Sequence, residues 1–312
     1  MPVMDTNAKH EMQKLQERAA KNGPLCVGLD TDPSYIPQPV RAGYDSPAQA
    51  VLAYNKEIIK RIQSEGSACC CKVQIAYYEA MGIEGMKVYS ETLRAVKAAG
   101  LSCITDVKRG DIAASAEAYA RAHFTGDFES DIITVNPYMG FETLKPFTDY
   151  CTSKGKGCFV LLRTSNPGMA DLERQALASG GYVLDRVGAE LTRLSSAFAK
   201  TFYSQTCSPV GAVVGCTEET DARAIREAYS DIFFLIPGYG AQGGAARIAA
   251  TLLLKAGGVV NSSRGILCAW KKSQSCTAKA ETGTLSMADL ADAAAEAALV
   301  AKRELTEAVK AL

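Results

Sequence analysis

The chain has 312 residues, of which 47% are hydrophobic and 22% charged, with 34 basic and 34 acidic side chains. This composition is that of a globular protein, and the balanced charge gives no overall field favouring nucleic acid or an anionic membrane. No apolar run is long enough to span a bilayer, and the charged stretch Asp5–Asn22 lacks the apolar core of a signal peptide. We therefore expect a cytoplasmic protein.

The cysteines and histidines argue against disulfides and metal sites. There are 11 cysteines, an odd number, and three are adjacent in an apolar run at Cys69–Cys71. This pattern predicts buried free thiols in a reducing compartment. The two histidines are His10 and His123, and no cysteine or histidine pair has zinc-binding spacing, so we expect no metal. His123 falls within a predicted helix and is expected to be structural.

The predicted elements alternate between short apolar runs and helical stretches. The spacing of Met12, Leu15 and Ala19 predicts an N-terminal helix within residues 5–22. The eight runs that follow are nearly continuous in hydrophobicity, which is typical of strands covered on both faces. The predicted strands are Leu25–Asp30, Cys69–Ile75, Cys103–Lys108, Asp131–Pro137, Cys158–Ser165, Val210–Cys216, Ile232–Gly238 and Val259–Arg264. The predicted helices include Pro47–Glu65, Gly85–Ala99, Ile112–Thr125, Gly180–Thr201, Thr217–Tyr229, Gly243–Lys255 and Ser286–Ala311.

This alternation predicts a parallel sheet with right-handed crossovers. Eight strand–helix units in this length predict a closed (β/α)₈ TIM barrel of the α/β class, and an open doubly wound sheet is the structural alternative. No linker rich in Ser and Pro divides the chain. We therefore predict one domain over 1–312, with an N-terminal helix in 1–22 and the barrel over 25–311. The segment Cys268–Met287 has no functional interpretation and is expected to be a surface loop.

Charged residues lie at the predicted strand ends, where barrel enzymes carry their chemistry. Asp106 and Lys108 are two positions apart, so their side chains should share one face of the third strand. Lys72, on the neighbouring strand, can reach the same space. Gly110 permits a sharp turn before Asp111, which either caps the next helix or reaches a partner subunit. A buried ion-pair network that only supports the barrel mouth is the structural alternative.

A glycine-rich segment, Gly238–Gly243, fits the pattern G-x-G-x-x-G. It comes late in the chain, and no acid lies around Ala256–Val260 to bind a ribose, which disfavours dinucleotide binding. The glycines can instead bring backbone N–H groups to a phosphate, at the loops after strands seven and eight. Gln242 and Arg264 are the predicted phosphate ligands, and a surface salt bridge is the alternative for Arg264 alone.

The segment Asp106–Ile112 resembles the D-x-K-x-x-D-I signature of orotidine 5′-phosphate (OMP) decarboxylases. Further segments along nearly the whole chain resemble other motifs of that family, in order: Val27–Asp30, Lys72–Gln74, Ser165–Gly168, Pro237–Gly243 and Ser263–Ile266. Arg-Thr-Ser-Asn-Pro at 163–167 resembles the longer subfamily. The resemblance implies a barrel enzyme without metal or cofactor that converts OMP to UMP, the last step of de novo pyrimidine nucleotide synthesis.

Decarboxylation at C6 leaves a carbanion that a cationic lysine could stabilise and protonate. Lys108 would be that donor, Asp106 would keep it charged and oriented, and Lys72 and Asp111 would complete an alternating row. The resemblance implies a homodimer in which Asp111, Ile112 and Ser115 come from the partner. The other expected substrate-binding residues are Asp30, Gln74, Thr164, Ser165, Pro237, Gln242, Arg264 and Gly265. For Gln74, a hydrogen bond inside the barrel is an equal alternative.

Three other functions compete with this one. A Mg²⁺-dependent phosphosugar lyase of the same superfamily would share the Asp-x-Lys-x-x-Asp pattern, but would carry an acid on strand two where this chain has Lys72. A class I aldolase would form a Schiff base through Lys108. A non-catalytic nucleotide-binding protein is disfavoured because every expected catalytic residue is present. No acidic pair precedes a Thr-Gly-Gly-Thr-like loop, so no phosphoribosyltransferase activity is expected.

Overall fold

The fold is a closed barrel of eight parallel strands, seen in a computed structural model that describes residues 5, 8–239 and 245–312. Each strand pairs with the next along the chain, and the eighth pairs with the first. This confirms the predicted (β/α)₈ barrel, and the alternative of an open doubly wound sheet is wrong. The strands are β1 (Leu25–Gly28), β2 (Cys70–Gln74), β3 (Ser102–Arg109), β4 (Ile132–Val135), β5 (Gly157–Arg163), β6 (Val210–Val214), β7 (Phe234–Ile236) and β8 (Gly258–Ser262).

Helices surround the barrel and close one of its ends. In the described residues they are α1 (Glu11–Asn22), α2 (Gln38–Arg41), α3 (Pro47–Glu65), α4 (Ile75–Glu79), α5 (Gly82–Ala98), α6 (Ala113–Phe124), α7 (Lys145–Lys154), α8 (Met169–Leu172), α9 (Val183–Thr201), α10 (Glu219–Ala228), α11 (Ala245–Leu253), α12 (Arg264–Leu267), α13 (Gln274–Glu281) and α14 (Met287–Lys310). Short 3₁₀ turns occupy Pro33–Tyr35, Gly126–Phe128, Phe141–Leu144 and Ala269–Lys272. No helix in these ranges is long and apolar enough to cross a membrane.

Several strands end earlier than predicted, because their last polar residues leave the sheet. β1 stops at Gly28, two residues before Asp30, and β8 stops at Ser262, before Arg264. The segment from Cys268 to Met287 also differs from the expected loop, since most of it is the 3₁₀ turn Ala269–Lys272 and helix α13. Hydrogen bonding at Ser273 explains the helix start, because its side chain accepts the backbone N–H of Cys276.

The N-terminal end of the barrel is closed by an apolar plug. His10 caps α1, with its ring nitrogen accepting the N–H of Gln13. Met12 and Leu15 of this helix are fully buried, in a cluster with barrel residues that include Phe159. Buried charged residues lie at the opposite, C-terminal end of the strands, which is the end where barrel enzymes carry their active sites.

All 11 cysteines are free thiols, and nine of them are buried. Burial raises the pKa of Cys71 and Cys103 well above the ordinary value of a thiol. Because the thiolate is the reactive form, these side chains behave as small apolar groups of the core.

One buried cation stabilises the sheet outside the site. Arg226 of α10 is 2% exposed, and its guanidinium donates to backbone carbonyls that include those of Leu252 and Ile232, both at 2.9 Å. The guanidinium also lies 3.5 Å from the ring centroid of Phe234. Burial lowers the pKa of Arg226 to about 9. This side chain therefore satisfies carbonyls where α10, α11 and β7 meet.

We expect Arg226→Met to lower the free energy of unfolding by roughly 3 kcal/mol, because it leaves several buried carbonyls without donors. Denaturant-induced unfolding measures the change. Arg223→Met is the matched control on the same helix, since Arg223 is half-exposed and forms a surface ion pair with Glu219 one turn away. Its cost should be no more than about 0.5 kcal/mol. Equal costs for the two variants would contradict the assigned role of Arg226.

Candidate active site

Four charged side chains form an alternating row at the C-terminal ends of the first three strands. Lys72 donates to Asp30 at 3.0 Å and to Asp106 at 3.1 Å, and Lys108 donates to Asp106 at 2.6 Å. Lys72 is 4% exposed and the side chain of Asp106 is 10% exposed. Lys72, Asp106 and Lys108 thus lie together as expected, and Asp30 extends the row beyond Lys72. Asp111, which the resemblance assigns to a partner subunit, is not tested by a single chain.

The charges of the row support one another. Burial alone would raise the pKa of Asp106, but Lys72 and Lys108 oppose it and lower the pKa to about 2. Burial alone would lower the pKa of Lys72, but Asp30 and Asp106 raise it above its ordinary value. Both groups are therefore charged at neutral pH. For Gln74, the sequence left open a hydrogen bond inside the barrel or a contact with substrate. Its side chain donates to Asp106 at 3.0 Å and also lines the cavity.

Lys108 reaches Asp106 through an irregular backbone. Its φ is +42°, a left-handed value that is uncommon for residues other than glycine, and the register of β3 against β4 shifts between Thr105 and Arg109. Thr134 on β4 holds this bend, because its hydroxyl oxygen accepts the N–H groups of Val107 and Lys108 at 3.0 and 2.9 Å. Such local strain is common at functional sites. The side chain of Lys108 stays 46% exposed, while Asp106 is buried.

Gly110 does not make the predicted turn through a positive φ. A Cβ atom at this position would lie 2.8 Å from the backbone oxygen of Asn136, so the glycine instead allows the chain after β3 to approach the end of β4.

Ser263, just beyond β8, completes the row on its far side. Its hydroxyl donates to Asp30 at 2.7 Å and accepts from Asn261 at 3.1 Å. The space for Ser263 exists because residue 28 is glycine, since a Cβ there would collide with the serine hydroxyl. Thr134 and Ser263 were both missed in the sequence analysis. The one available signal was that Ser263 directly precedes Arg264.

A cavity of about 780 Å³ opens over the row. Asp30, Lys72, Gln74 and Asp106 form part of its wall. The predicted substrate contacts Pro237, Arg264 and Gly265 line the same cavity, together with Tyr35, Tyr77, Tyr239, Asn261, Lys271 and Lys272. Gln242 lies outside the described residues. The cavity thus brings Asp30, Lys72 and Asp106 to one space with Arg264, and Lys108 joins them through its contact with Asp106.

Thr164 and Ser165 follow β5, and Thr164 is held by a separate polar network. Glu173 accepts the backbone N–H of Thr164 at 2.9 Å and its hydroxyl at 2.7 Å. Arg163 is buried and donates to Asp221 at 2.7 Å. The hydroxyl donor of Thr164 is therefore already used by Glu173, and Ser165 is the freer of the two. Ser165 packs near Gly215, because a Cβ built on that glycine would lie 3.0 Å from the Cβ of Ser165.

Within the described residues, no hydrogen bond or ion pair joins Asp111, Ile112 or Ser115 to the row. Asp111 does not cap α6, whose N-cap is Ile112, and its carboxylate accepts the N–H of Ile112 at 2.7 Å. Ile112 is 54% exposed, and Ser115 is also exposed. None of the three lines the cavity over the row.

His123 has a structural environment. It is 2% exposed, and its Nε2 accepts from the guanidinium of Arg109 at 3.2 Å. Burial and, to a smaller extent, the charge of Arg109 lower the pKa of His123 to about 4, so it stays neutral at physiological pH. No group of three metal-ligating side chains is assembled in residues 8–239 and 245–312.

Comparison with known proteins identifies the family. The model of the orotidine 5′-phosphate decarboxylase / HUMPS family matches residues 23–279. The chain belongs to this family. It is 48% identical over 262 residues to the orotidine 5′-phosphate decarboxylase of Clostridium novyi, covering 84% of this chain and 90% of that protein. It is 46% identical over 266 residues to the Clostridium kluyveri protein of the same name, covering 84% and 89%.

The fold agrees with solved members of the family. The Leishmania donovani OMP decarboxylase superposes with a TM-score of 0.64 and 30% sequence identity, covering 88% of this chain and 95% of that one. The resemblance seen in the sequence is therefore confirmed. The matched region begins just before β1 and ends within α13, so it contains every charged residue of the row.

The charge of Asp106 gives a pH prediction. A carboxylate whose folded pKa is lowered adds stability above its unfolded pKa, about 3.8, and loses it as the pH falls through the folded value of about 2. We expect the free energy of unfolding to be higher for wild type than for Asp106→Asn at pH 5. This difference between the two proteins should fall by about 2 kcal/mol as the pH is lowered from 5 to 2. Urea unfolding across this range measures it. A difference independent of pH would contradict the assigned ion pairs, and Asp149→Asn, at a half-exposed carboxylate of α7, is the control.

Proposed function

We propose that this protein decarboxylates OMP to UMP with Lys108 as the proton donor. The observation that carries the proposal is the Asp30–Lys72–Asp106–Lys108 row, whose first three members line the same cavity as Arg264 and whose Lys108 contacts Asp106 at 2.6 Å. Family membership and the names of its relatives support the substrate. The row supports the chemistry, since it supplies fixed charges and an acid without any change of covalent structure.

In the proposed reaction the bond between C6 and the carboxylate carbon breaks, CO₂ leaves, and the electron pair stays on C6. The ammonium group of Lys108 stabilises that charge and gives its proton to C6, after which solvent reprotonates the amine. Asp106 holds Lys108 in position at 2.6 Å, and Lys72 holds Asp106 from the other side at 3.1 Å. Little of this charge arrangement has to reorganise during the reaction, which is how preorganised sites lower a barrier.

The remaining family residues take binding roles in this proposal. Asp30 and Lys72 bind ribose hydroxyls, and Ser165 reads the pyrimidine edge. Arg264 binds the 5′-phosphate, with Gln242 and the neighbouring Gly265. Thr164 is the weaker contact because Glu173 already occupies its N–H and hydroxyl.

We further propose that two copies of the chain share their active sites. Asp111, Ile112 and Ser115 lie outside the cavity of their own chain, so they are available to a partner. Large apolar side chains are exposed in the two consecutive units that follow β3 and β4: Ile112 at 54%, Tyr119 at 37%, Tyr138 at 77% and Met139 at 47%. Large exposed apolar groups favour an interface, because association would remove them from water.

The activity is tested by incubating the protein with OMP and EDTA and following the ultraviolet change on conversion to UMP. We expect turnover by wild type and at least a thousandfold lower kcat for Lys108→Ala, since the variant lacks the acid. Lys60→Ala, at an exposed site on α3, should keep wild-type activity.

Substantial kcat in Lys108→Ala would contradict the donor role. If folded wild type gives no turnover, the proposed substrate is wrong, and phosphosugars with Mg²⁺ become the next assay. UMP binding without turnover would instead indicate a non-catalytic nucleotide-binding protein.

Shared sites are tested by complementation. Neither Asp111→Ala nor Lys108→Ala should be active alone, whereas mixed dimers contain one site with both native residues. We expect the mixture, after subunit exchange, to recover up to about a quarter of wild-type activity. Subunit exchange is verified with differently tagged chains. No recovery in proven heterodimers would contradict shared sites.

A further inference from the structure

The far edge of the active-site cavity carries three cations. Arg264 begins α12, directly after β8 and Ser263, and the 3₁₀ turn Ala269–Lys272 follows that helix. Lys271 and Lys272 of this turn line the same cavity as Asp30 and Asp106. We call Arg264, Lys271 and Lys272 the cationic rim.

The rim differs from the row in that its charges are unpaired. Both carboxylates of the row are bound by lysines, and Asp30 also accepts from Ser263. No carboxylate of residues 8–239 and 245–312 forms an ion pair with a rim residue, and residues 240–244 contain no acid. All three rim side chains are exposed. Unpaired cations gathered at one edge of a cavity favour an anionic ligand there.

The turn that carries the lysines is anchored to the barrel. The indole N–H of Trp270 donates to the backbone oxygen of Tyr35 at 2.9 Å, and the hydroxyl of Tyr54 donates to that of Leu267 at 2.8 Å. The Nζ of Lys271 lies 5.6 Å from the ring centroid of Trp270. The backbone of the rim is therefore fixed by buried contacts, and its lysine stems start from a defined place.

Cys268 gives an independent sign that rim charges converge. Burial raises the pKa of its thiol, and Lys271 and Arg264 both oppose this rise. The two cations therefore lie close enough to the half-buried thiol of Cys268 for both fields to act on it. The positive potentials of Arg264 and Lys271, which are seven positions apart in the sequence, therefore add at this edge.

We propose that Lys271 and Lys272 extend the phosphate subsite of Arg264 and set the preference for 5′-phosphorylated over phosphate-free nucleosides. The inference rests on the proposed function. A phosphate dianion offers three oxygens, so it can accept from the planar guanidinium of Arg264 and from two ammonium groups at once. Neither lysine reaches the reaction centre in this scheme; both act on the binding of the substrate.

The test is the double variant Lys271→Gln, Lys272→Gln. Its matched control is Lys56→Gln, Lys60→Gln, which removes the same charge from the exposed face of α3. We measure kcat/KM for OMP and Kd for UMP and for uridine. We expect the rim variant to lose roughly tenfold in kcat/KM and in UMP affinity at low salt, and less at high salt. Uridine affinity and the control should be unchanged.

Unchanged UMP affinity in the folded rim variant would overturn the proposal and leave the lysines as a solvated surface. An equal loss for UMP and uridine would also overturn it, because the effect would not depend on the phosphate. If wild type failed to decarboxylate OMP, the proposed function would fail, but the comparison of UMP with uridine would still test the rim. Turnover by wild type, together with unchanged kcat/KM and UMP affinity in the rim variant, would contradict the role of the rim and leave the proposed function intact.

Discussion

The site depends on the burial of one carboxylate between two lysines. Asp106 is nearly excluded from water, and an isolated charge there would be costly. Lys72 and Lys108 remove that cost from opposite sides, so the pKa of Asp106 falls to about 2 although burial alone would raise it. The geometry follows from this balance. Lys72 is fixed by two carboxylates, whereas Lys108 has one partner and an exposed side chain. The less constrained lysine is the one available to a substrate.

The surrounding barrel positions the charged row. Helix α1 closes the N-terminal end with apolar side chains, so the charged strand ends face a single opening. Thr134 holds the left-handed bend at Lys108, and Ser263 occupies the space that Gly28 leaves open beside Asp30. Across the cavity the rim cations remain unpaired. In the proposed function, the charges of the row are paired where the bond to CO₂ breaks. The charges of the cationic rim stay without a carboxylate partner, so they can bind the phosphate.

Much of this was predictable from the sequence, because strand ends in a parallel barrel meet at one place. The eight strands, and with them the meeting of Lys72, Asp106 and Lys108, followed from apolar runs that end in charged residues. The bend at Lys108 did not, since strand alternation alone put its side chain on the face of Asp106 and gave no sign of the positive φ. Two other parts were not predictable from the sequence. Thr134 and Ser263 act through contacts between strands that are distant in the sequence. The turn that carries Lys271 and Lys272 lies in a segment that the sequence analysis predicted to be a surface loop. The resemblance assigns Asp111 to the row of a partner subunit, and this part of the site stays a prediction.

The central claim is that Lys108 points its ammonium group at C6 of the nucleotide while Asp106 keeps it charged. A crystal structure of the protein with UMP bound tests this most directly. The account predicts that the Nζ of Lys108 lies within about 3.5 Å of C6, with Asp106 still in contact and the phosphate beside Arg264. A nucleotide bound with C6 away from Lys108, or with its phosphate at the Asp30–Lys72 row, would contradict it.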